Sequence, residues 1–578
     1  MKLALGALLA SALAAGAFVV DINSAGQPRR WKLDPPDPDV HTNVVNRATK
    51  AIRYYLASDA YSSTNAGAEL DALRASFAQW QAIPGTMLKF EDAGLVAPGV
   101  DINTEDNTNV LFWAKTSVFI NGCVDNIANL AGVTCSSSFS DNNALAEADI
   151  VLNGVQYPWF TDFNNTNATS QFIEGAATHE IGHFIGLQHS PVGGATMLWR
   201  AGNGVNLWSG LSADEVAAAR WLYAPANPPP TLARLRGNVT MNGAAVFGAV
   251  VVAQEVGTGN MIAGSVTEAN GVYDLPALPL GQYHVWATPL DPEAQNYLIR
   301  GRDIAAKFTT VMTAFVPGTN VIVTLTNAQT VTGNFTVTSG TPAFRITHIR
   351  SPVAASDLFY WSPLPASIRP GQSNLFIGVG SADLPTGGAS LTISGDGLTV
   401  GAPDFQTMGG LNFISVPIGV ASNATPGLRS FVVQHGTDLA YANGFLEILP
   451  PIPDYNFDGL DDRFQRQYFR LFTSAQAAPG ADPDGDGFTN QAEYISGTNP
   501  NDSSSLLKIK SVTLDANGST IIWQSGAGKR YQVWSRRDVA NEPWEAVGPP
   551  VVGTDSLTQF TDISATNEFR FYRVQALP

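Results

Sequence analysis

The segment HEIGHFIGLQHS, His179 to Ser190, holds three of the seven histidines of a 578-residue chain, with a glutamate beside the first. Neutral imidazoles bind borderline metals such as zinc, and a neighbouring carboxylate can carry a proton. His179 and His183 are four apart, so on a helix they project from one face about a turn from each other. That helix is predicted by the apolar stripe Ile173, Ala177, Ile181 and Phe184, spaced by four, four and three. Gly186 stands where the helix would end, because glycine adopts the left-handed backbone without strain. The chain can then turn back and bring His189 to the same ion. Three nitrogen ligands leave a fourth tetrahedral position open, the layout of a catalytic zinc site in contrast to a closed structural one. Zinc brings a water in that position toward a pKa of about 7, and Glu180 can take its proton and later protonate the leaving amine.

His179, Glu180, His183, Gly186 and His189 form H-E-x-x-H-x-x-G-x-x-H, and the stretch resembles the signature of the metzincin zinc endopeptidases. Ser190, directly after the third histidine, is the residue that matrixins carry there, and Met197 follows His189 at the matrixin spacing for the turn beneath the metal. The resemblance implies that His179, His183 and His189 are zinc ligands, that Glu180 is the general base and that Met197 supports the site. It extends over most of residues 28–225. LDALRASFAQWQAI puts Leu70, Leu73, Phe77 and Trp80 on one face of a helix like the first long matrixin helix. NVLFW and EADIVLNG look like sheet strands, and LSADEVAAARWLY looks like the last helix, with Ser212 as N-cap and Glu215 three residues on. The sequence also departs from the family. No histidine lies between His41 and His179 to build a second, structural zinc site. No cysteine precedes Cys123 to act as a propeptide switch. LWR follows Met197 where matrixins have the Tyr and Pro that wall the S1' pocket.

A second constellation is DPDGDGFTNQAE. Asp482, Asp484, Asp486, the Phe488 carbonyl, Asn490 and Glu493 occupy positions one, three, five, seven, nine and twelve of an EF-hand loop, with Gly487 at six, and hard oxygens at that spacing suit structural calcium. DYNFDGLDDRFQ repeats the first half through Asp454, Asn456 and Asp458. It carries Gln465 where a bidentate glutamate is expected, so its site should be weaker and dockerin-like.

These residues need scaffolds of different kinds. A chain of 578 residues is several times longer than a typical domain, so the fold class expected is a multidomain one, and Gly 54 and Pro 36, with only 14% charged residues, favour short strands and turns within it. An α+β metzincin (zincin) domain over 28–225 is followed by all-β sandwich domains and a short EF-hand-like segment. APANPPP ends the first domain as a stiff linker. Residues 233–330 alternate like a β-sandwich, and Gly271, Tyr273, Gly281 and Tyr283 resemble the transthyretin-like regulatory domain found beside carboxypeptidases. Residues 331–450 read as an Ig- or TIG-like sandwich, 451–503 as the calcium segment and 505–578 as a final β-sandwich.

Residues 1–17 have the lysine, apolar run and small residues of a cleavable secretory signal, so a secreted, extracellular protein is expected. No later stretch is long enough to cross a bilayer as a helix. Cys123 and Cys135 are the only cysteines, and in an exported chain they read as one disulfide. A net charge of -17 with sparse Lys and Arg argues against a nucleic-acid partner. Two functional classes compete. One is a secreted zinc endopeptidase acting on extracellular proteins, its β modules engaging a cell surface, matrix or glycan. The other is a zinc- and calcium-binding adhesion or scaffold protein with a weakly active metzincin-like domain. Glu180 argues for the first, because a purely structural zinc site has no use for a carboxylate there.

Overall fold

The computed structural model describes residues 19–23, 26–120, 123–165, 170–200, 210–292, 297–309, 314–354, 360–538, 542–565 and 570–578. The secretory leader expected over 1–17 lies outside them. The chain divides into two compact units, Met1–Pro451 and Ile452–Pro578. No helix among the described residues is long and apolar enough to cross a membrane.

The first unit opens with a mixed sheet. Its strands are β1 (Val45–Asn46), β2 (Ala51–Ala57), β3 (Phe90–Val96), β4 (Val110–Ala114), β5 (Gly132–Ser138) and β6 (Leu145–Asn153). The order is β1-β2-β4-β6-β5, with β3 also paired to β2; β2, β3, β4 and β6 run parallel, and β5 is an antiparallel edge. The apolar run VLFWA of β4 is buried at every residue because both faces of the sheet are covered. On one face lie α1 (Ala66–Ala82) and α2 (Ile173–Phe184), with β7 (Trp159–Phe160) and β8 (Gln171–Phe172) leading in. Phe77 stacks on Tyr54 at 3.8 Å and meets Phe184 edge-on at 5.7 Å. The other face packs Phe112 and Val151 against Ile102, Ile120 and Ile127 of the long loops. The stripe expected on α2 is buried, but so is every other residue of that helix except His183, which is half-buried. The polar face that an amphipathic helix would turn to water is here the wall of a site.

α3 (Ala213–Leu222) starts with the capping box foreseen at Ser212 and Glu215. Two sheets follow it. One holds β9 (Leu232–Met241), β10 (Ala244–Ala245), β13 (Val272–Pro279), β15 (Phe315–Val316), β17 (Thr330–Thr332) and β18 (Phe335–Ser339); the other holds β11 (Ala249–Glu255), β12 (Met261–Val266), β14 (Gly281–Pro289) and β16 (Val321–Leu325). β17 and β18 pair in parallel with β9, so this sandwich runs on to Ser339, past residue 330. Alternation within 331–339 cannot reveal that pairing, because register with a strand nearly a hundred residues away is a tertiary choice. Between β14 and β15 the chain leaves the sandwich in a short helix, α4 (Gly301–Ile304). A second pair of sheets is built on His348–Ala354, Leu375–Ser381 and Leu411–Val420, and on Ser390–Ile393, Gly427–His435 and Asp438–Ile448.

The second unit begins with two short helices, α5 (Asp462–Tyr468) and α6 (Asn490–Ser496), and ends in two three-stranded sheets around Ile521, Trp523, Tyr531 and Val533. The Tyr531 hydroxyl donates to the Ser496 carbonyl at 2.7 Å and ties this sandwich to α6.

Candidate metal centre and cleft

α2 presents His179 and His183 one turn apart, and the chain reverses at Gly186, where φ is +103°. A side chain at Gly186 would also run into the Arg29 carbonyl, 2.2 Å from an added Cβ, so only glycine fits this turn. The reversal brings His189 back. The three imidazoles lie with ring centroids 4.8–5.3 Å apart, and one nitrogen from each falls within 4.8 Å of the others.

Each ring is fixed through Nδ1. His179 donates to the Thr196 carbonyl at 2.7 Å, His183 to Leu187 at 2.8 Å and His189 to Asp303 at 2.7 Å. A carbonyl only accepts, so Nδ1 carries the proton on each ring and Nε2 carries a lone pair. Nε2 of His183 and Nε2 of His189 then face each other at 3.2 Å with no proton between them. Two lone pairs at that distance repel unless they share an electrophile. Two nitrogens bound to one zinc at about 2.05 Å with tetrahedral angles stand roughly 3.3 Å apart, so the donor set fits a zinc ion. Burial, and after it the neighbouring imidazole of His183, pushes His179 down to about 3; burial also lowers His183 and His189. All three rings stay neutral near pH 7, the form that binds metal.

Met197 lies under the triad. An added Cβ at Gly182 would meet its sulfur at 2.1 Å, so a glycine one position before His183 lets the methionine reach the helix. The turn is held by Ser190 N donating to the Met197 carbonyl at 2.7 Å and Met197 N donating to Glu215 at 2.8 Å. Ser190 donates its hydroxyl to Asp214 at 2.7 Å.

Glu180 points from α2 toward the edge strand β5. Thr134 Oγ1 lies 2.7 Å from Glu180 Oε2 and donates to it, and an added Cβ at Gly132 would sit 2.9 Å from the other carboxylate oxygen. Burial raises Glu180 to about 7, with the Thr134 hydroxyl pulling the other way. The triad, Glu180, Gly132, Thr134 and Tyr157 line one cavity of about 600 Å³. The Cys123–Cys135 disulfide is formed, with the Cα atoms 5.4 Å apart, and clamps the loop before β5 to that strand. Thr134 and Gly132 did not stand out in the sequence, since a threonine and a glycine in a polar strand are unremarked there. Asp303, 114 residues beyond His189, acts through its carbonyl, and no side-chain pattern marks that.

In the second unit, Asp482, Asp484 and Asp486 gather their carboxylates within 4.8 Å of one another. Asp484 Oδ2, Asp486 Oδ2 and Asn490 Oδ1 are shielded from water and receive no hydrogen bond, and the carboxylate of the fully buried Glu493 has the Thr498 hydroxyl beside it. Burial, and then the three aspartates, raise Glu493 to about 7, although the nearby Thr498 hydroxyl lowers it somewhat. Buried oxygens without donors suit a hard cation. The loop at Asp454–Gln465 is closed differently. Gln465 Nε2 donates to Asp458 at 2.7 Å, Asn456 donates to Asp458 at 3.0 Å and to Gln465 at 3.2 Å, and Asp454 accepts from the amides of Asp458 and Gly459. The side chains of Asp454, Asn456, Asp458 and Gln465 are thus bonded within the protein.

Residues 46–224 match the model of the Peptidase M10 family, Matrixin. The match covers less than a third of the chain and contains the triad, Glu180 and the turn at Met197. No curated protein matches the chain. Among solved structures it is similar to BcpA, the major pilin subunit of Bacillus cereus, at 10% identity over 57% of this chain and 85% of that one, with a TM-score of 0.14. It is similar also to the Bacillus anthracis TIE protein, at 11% identity over 60% of this chain and 45% of that one, with a TM-score of 0.13. Superpositions this loose bear on neither fold nor site. By this match the stretch around the triad is similar to a matrixin, a metzincin-like zinc peptidase domain.

Proposed function

We propose that the protein is an exported zinc endopeptidase, with His179, His183 and His189 as ligands and Glu180 as general base. The observation that carries this reading is the pair of Nε2 lone pairs facing each other at 3.2 Å, in rings whose Nδ1 protons are all committed to carbonyls. Zinc, when bound, supplies the Lewis acid for amide hydrolysis. The rest is done by the chain. β5 is a sheet edge, and an extended peptide pairs with it so that the scissile bond lies over the triad. Thr134 holds the Glu180 carboxylate beside that bond. Glu180 takes a proton from the attacking water as its oxygen bonds to the carbonyl carbon, and hands that proton to the amide nitrogen as the C–N bond breaks. The Cys123–Cys135 disulfide agrees with an oxidising, extracellular setting. We further assign calcium to the loop Asp482–Glu493, as a stiffener of the second unit, on the strength of the donor-free buried oxygens of Asp484, Asp486 and Asn490.

The test is to purify the chain without residues 1–17, measure zinc by mass analysis, and digest an unstructured protein. Cleavage is expected to vanish with a chelator and in Glu180→Ala. Cleavage that survives both contradicts the mechanism, and one bound zinc with no cleavage of a broad peptide library favours the scaffold reading.

A further inference from the structure

His189 is the one ligand whose ring is not held by its own domain. Its Nδ1–H donates to the carbonyl of Asp303 and its backbone N–H to the carbonyl of Ile304, at 2.7 and 3.3 Å, and both carbonyls belong to α4, the short helix that leaves the first β-sandwich. The other two rings are held by Leu187 and Thr196 within the same twenty-residue stretch.

α4 is itself fixed. Arg300 and Asp303 form a buried ion pair, Nε to Oδ2 2.6 Å and Nη2 to Oδ1 3.2 Å, and the Arg300 guanidinium lies 5.3 Å over the ring of Trp199, two residues past Met197. Gly301 passes so close to the Phe308 carbonyl that an added Cβ would stand 2.3 Å from it. Lys307 donates to the Val20 carbonyl at 3.2 Å and pairs with Glu268 at 2.6 Å. A second line of contacts reaches the same ligand from β12. Gly264 N donates to Asp214 at 2.7 Å, and the other oxygen of Asp214 accepts from Ser190, the neighbour of His189. The loop beyond is held by the second sandwich as well: Gly193 N donates to the Asn443 carbonyl at 2.7 Å, and Phe445 and Leu428 lie against Gly193 and Gly194.

We infer that the first β-sandwich is a working part of the metal centre, with Arg300 and Asp303 as positioning residues that set α4 so that its carbonyls orient the third imidazole toward the ion. The inference rests on the reading that the triad holds zinc. A separable accessory module would leave the ligands intact when altered; this one supplies the outer contact of a ligand, and changing such contacts typically weakens metal affinity about 10- to 100-fold.

The experiment uses the chain from residue 18 to its end. Zinc affinity is measured by competition with a chromogenic chelator, and thermal midpoints are measured on the zinc-free protein. In Arg300→Met/Asp303→Ala zinc affinity is expected to fall about 10- to 100-fold. The control is Arg234→Met/Asp274→Ala, which removes an ion pair of the same sandwich between β9 and β13, neither residue of which lines the cavity of the triad. It is expected to keep wild-type zinc affinity whatever its midpoint. Equal affinity in the first variant and the wild type, or an equal loss in the control, overturns the inference. Hydrogen exchange on the wild-type chain reads the same coupling without a mutation. Added zinc is expected to slow exchange at 300–308 as well as at 176–190, and protection confined to 176–190 overturns it. His183→Ala separates the two levels: if it still binds one zinc per chain, the reading of the triad fails.

Discussion

Two places among the described residues gather side chains that could hold a metal ion, and they do so over different distances along the chain. The acidic loop in the second unit takes its oxygens from a dozen consecutive residues, Asp482 to Glu493, and its shape follows from Asx turns and glycines at Gly485 and Gly487 with positive φ. The imidazole centre in the first unit takes its three histidines from eleven residues but its orientation from the carbonyls of Leu187, Thr196 and Asp303, the last of them 114 residues beyond His189. A local loop can keep its shape when distant parts are altered. A centre aimed from a distance depends on the packing of the whole first unit.

The largest effect that would break this contrast is at the triad. His183→Ala is expected to reduce bound zinc from about one per chain to none and to abolish cleavage, as mass analysis and a peptide assay would read. Glu180→Gln removes the proton carrier while leaving the ligands, so zinc content should be unchanged and kcat should fall about 10²- to 10⁴-fold. A loss of zinc in that variant would mean that Glu180 has a structural part instead.

The contrast is sharpened in the second unit, where two loops of similar sequence end differently. Calcium is expected to raise the thermal midpoint of the wild-type chain, and Glu493→Gln should remove that rise, because an amide at the twelfth position cannot bind a cation bidentately. Gln465→Glu should do the reverse. It takes away the amide that satisfies Asp458 and should add a second calcium-dependent step; no change in calcium stoichiometry by titration calorimetry would contradict the role given to that residue.

Thr134→Val deletes one hydrogen bond to Glu180. About 1 kcal/mol corresponds to roughly a fivefold fall in kcat, with zinc content and midpoint retained.

A further effect, on stability and away from the triad's own chemistry, concerns pH. Burial raises Asp149 from 3.8 to about 7 and Glu147 from 4.5 to about 8. The folded chain therefore holds protons there that the unfolded chain has already released. This contribution to stability is fully present below about 4 and is lost as pH rises through 7 to 8. The urea midpoint should be lower at pH 8.5 than at pH 6, and Asp149→Asn should narrow the difference. A midpoint that rises with pH and is insensitive to that substitution would show the sign to be wrong.

The sequence disclosed the parts of the molecule whose logic is local. The spacing of His179, His183 and His189, the helix end at Gly186, the capping box at Ser212 and the acidic loops all follow from backbone geometry within about a dozen residues. What it did not disclose is set by tertiary contact. Alternating strands did not show that β17 and β18 join β9. The stripe on α2 did not show that the rest of the helix is buried too. Thr134 and Gly132 matter only because β5 passes the carboxylate of Glu180, and Asp303 matters only because α4 reaches His189. A carbonyl oxygen is present at every residue, so nothing in composition or periodicity singles out the one that aims a ligand.

The central claim is that one zinc sits between three Nε2 atoms. Anomalous diffraction at the zinc edge from crystals of the zinc-loaded chain tests it most directly. A single peak about 2.0–2.1 Å from Nε2 of His179, His183 and His189, with every Nδ1 still on its carbonyl, is the result expected. Ligation through Nδ1, or no peak at the triad in zinc-loaded crystals, would contradict it.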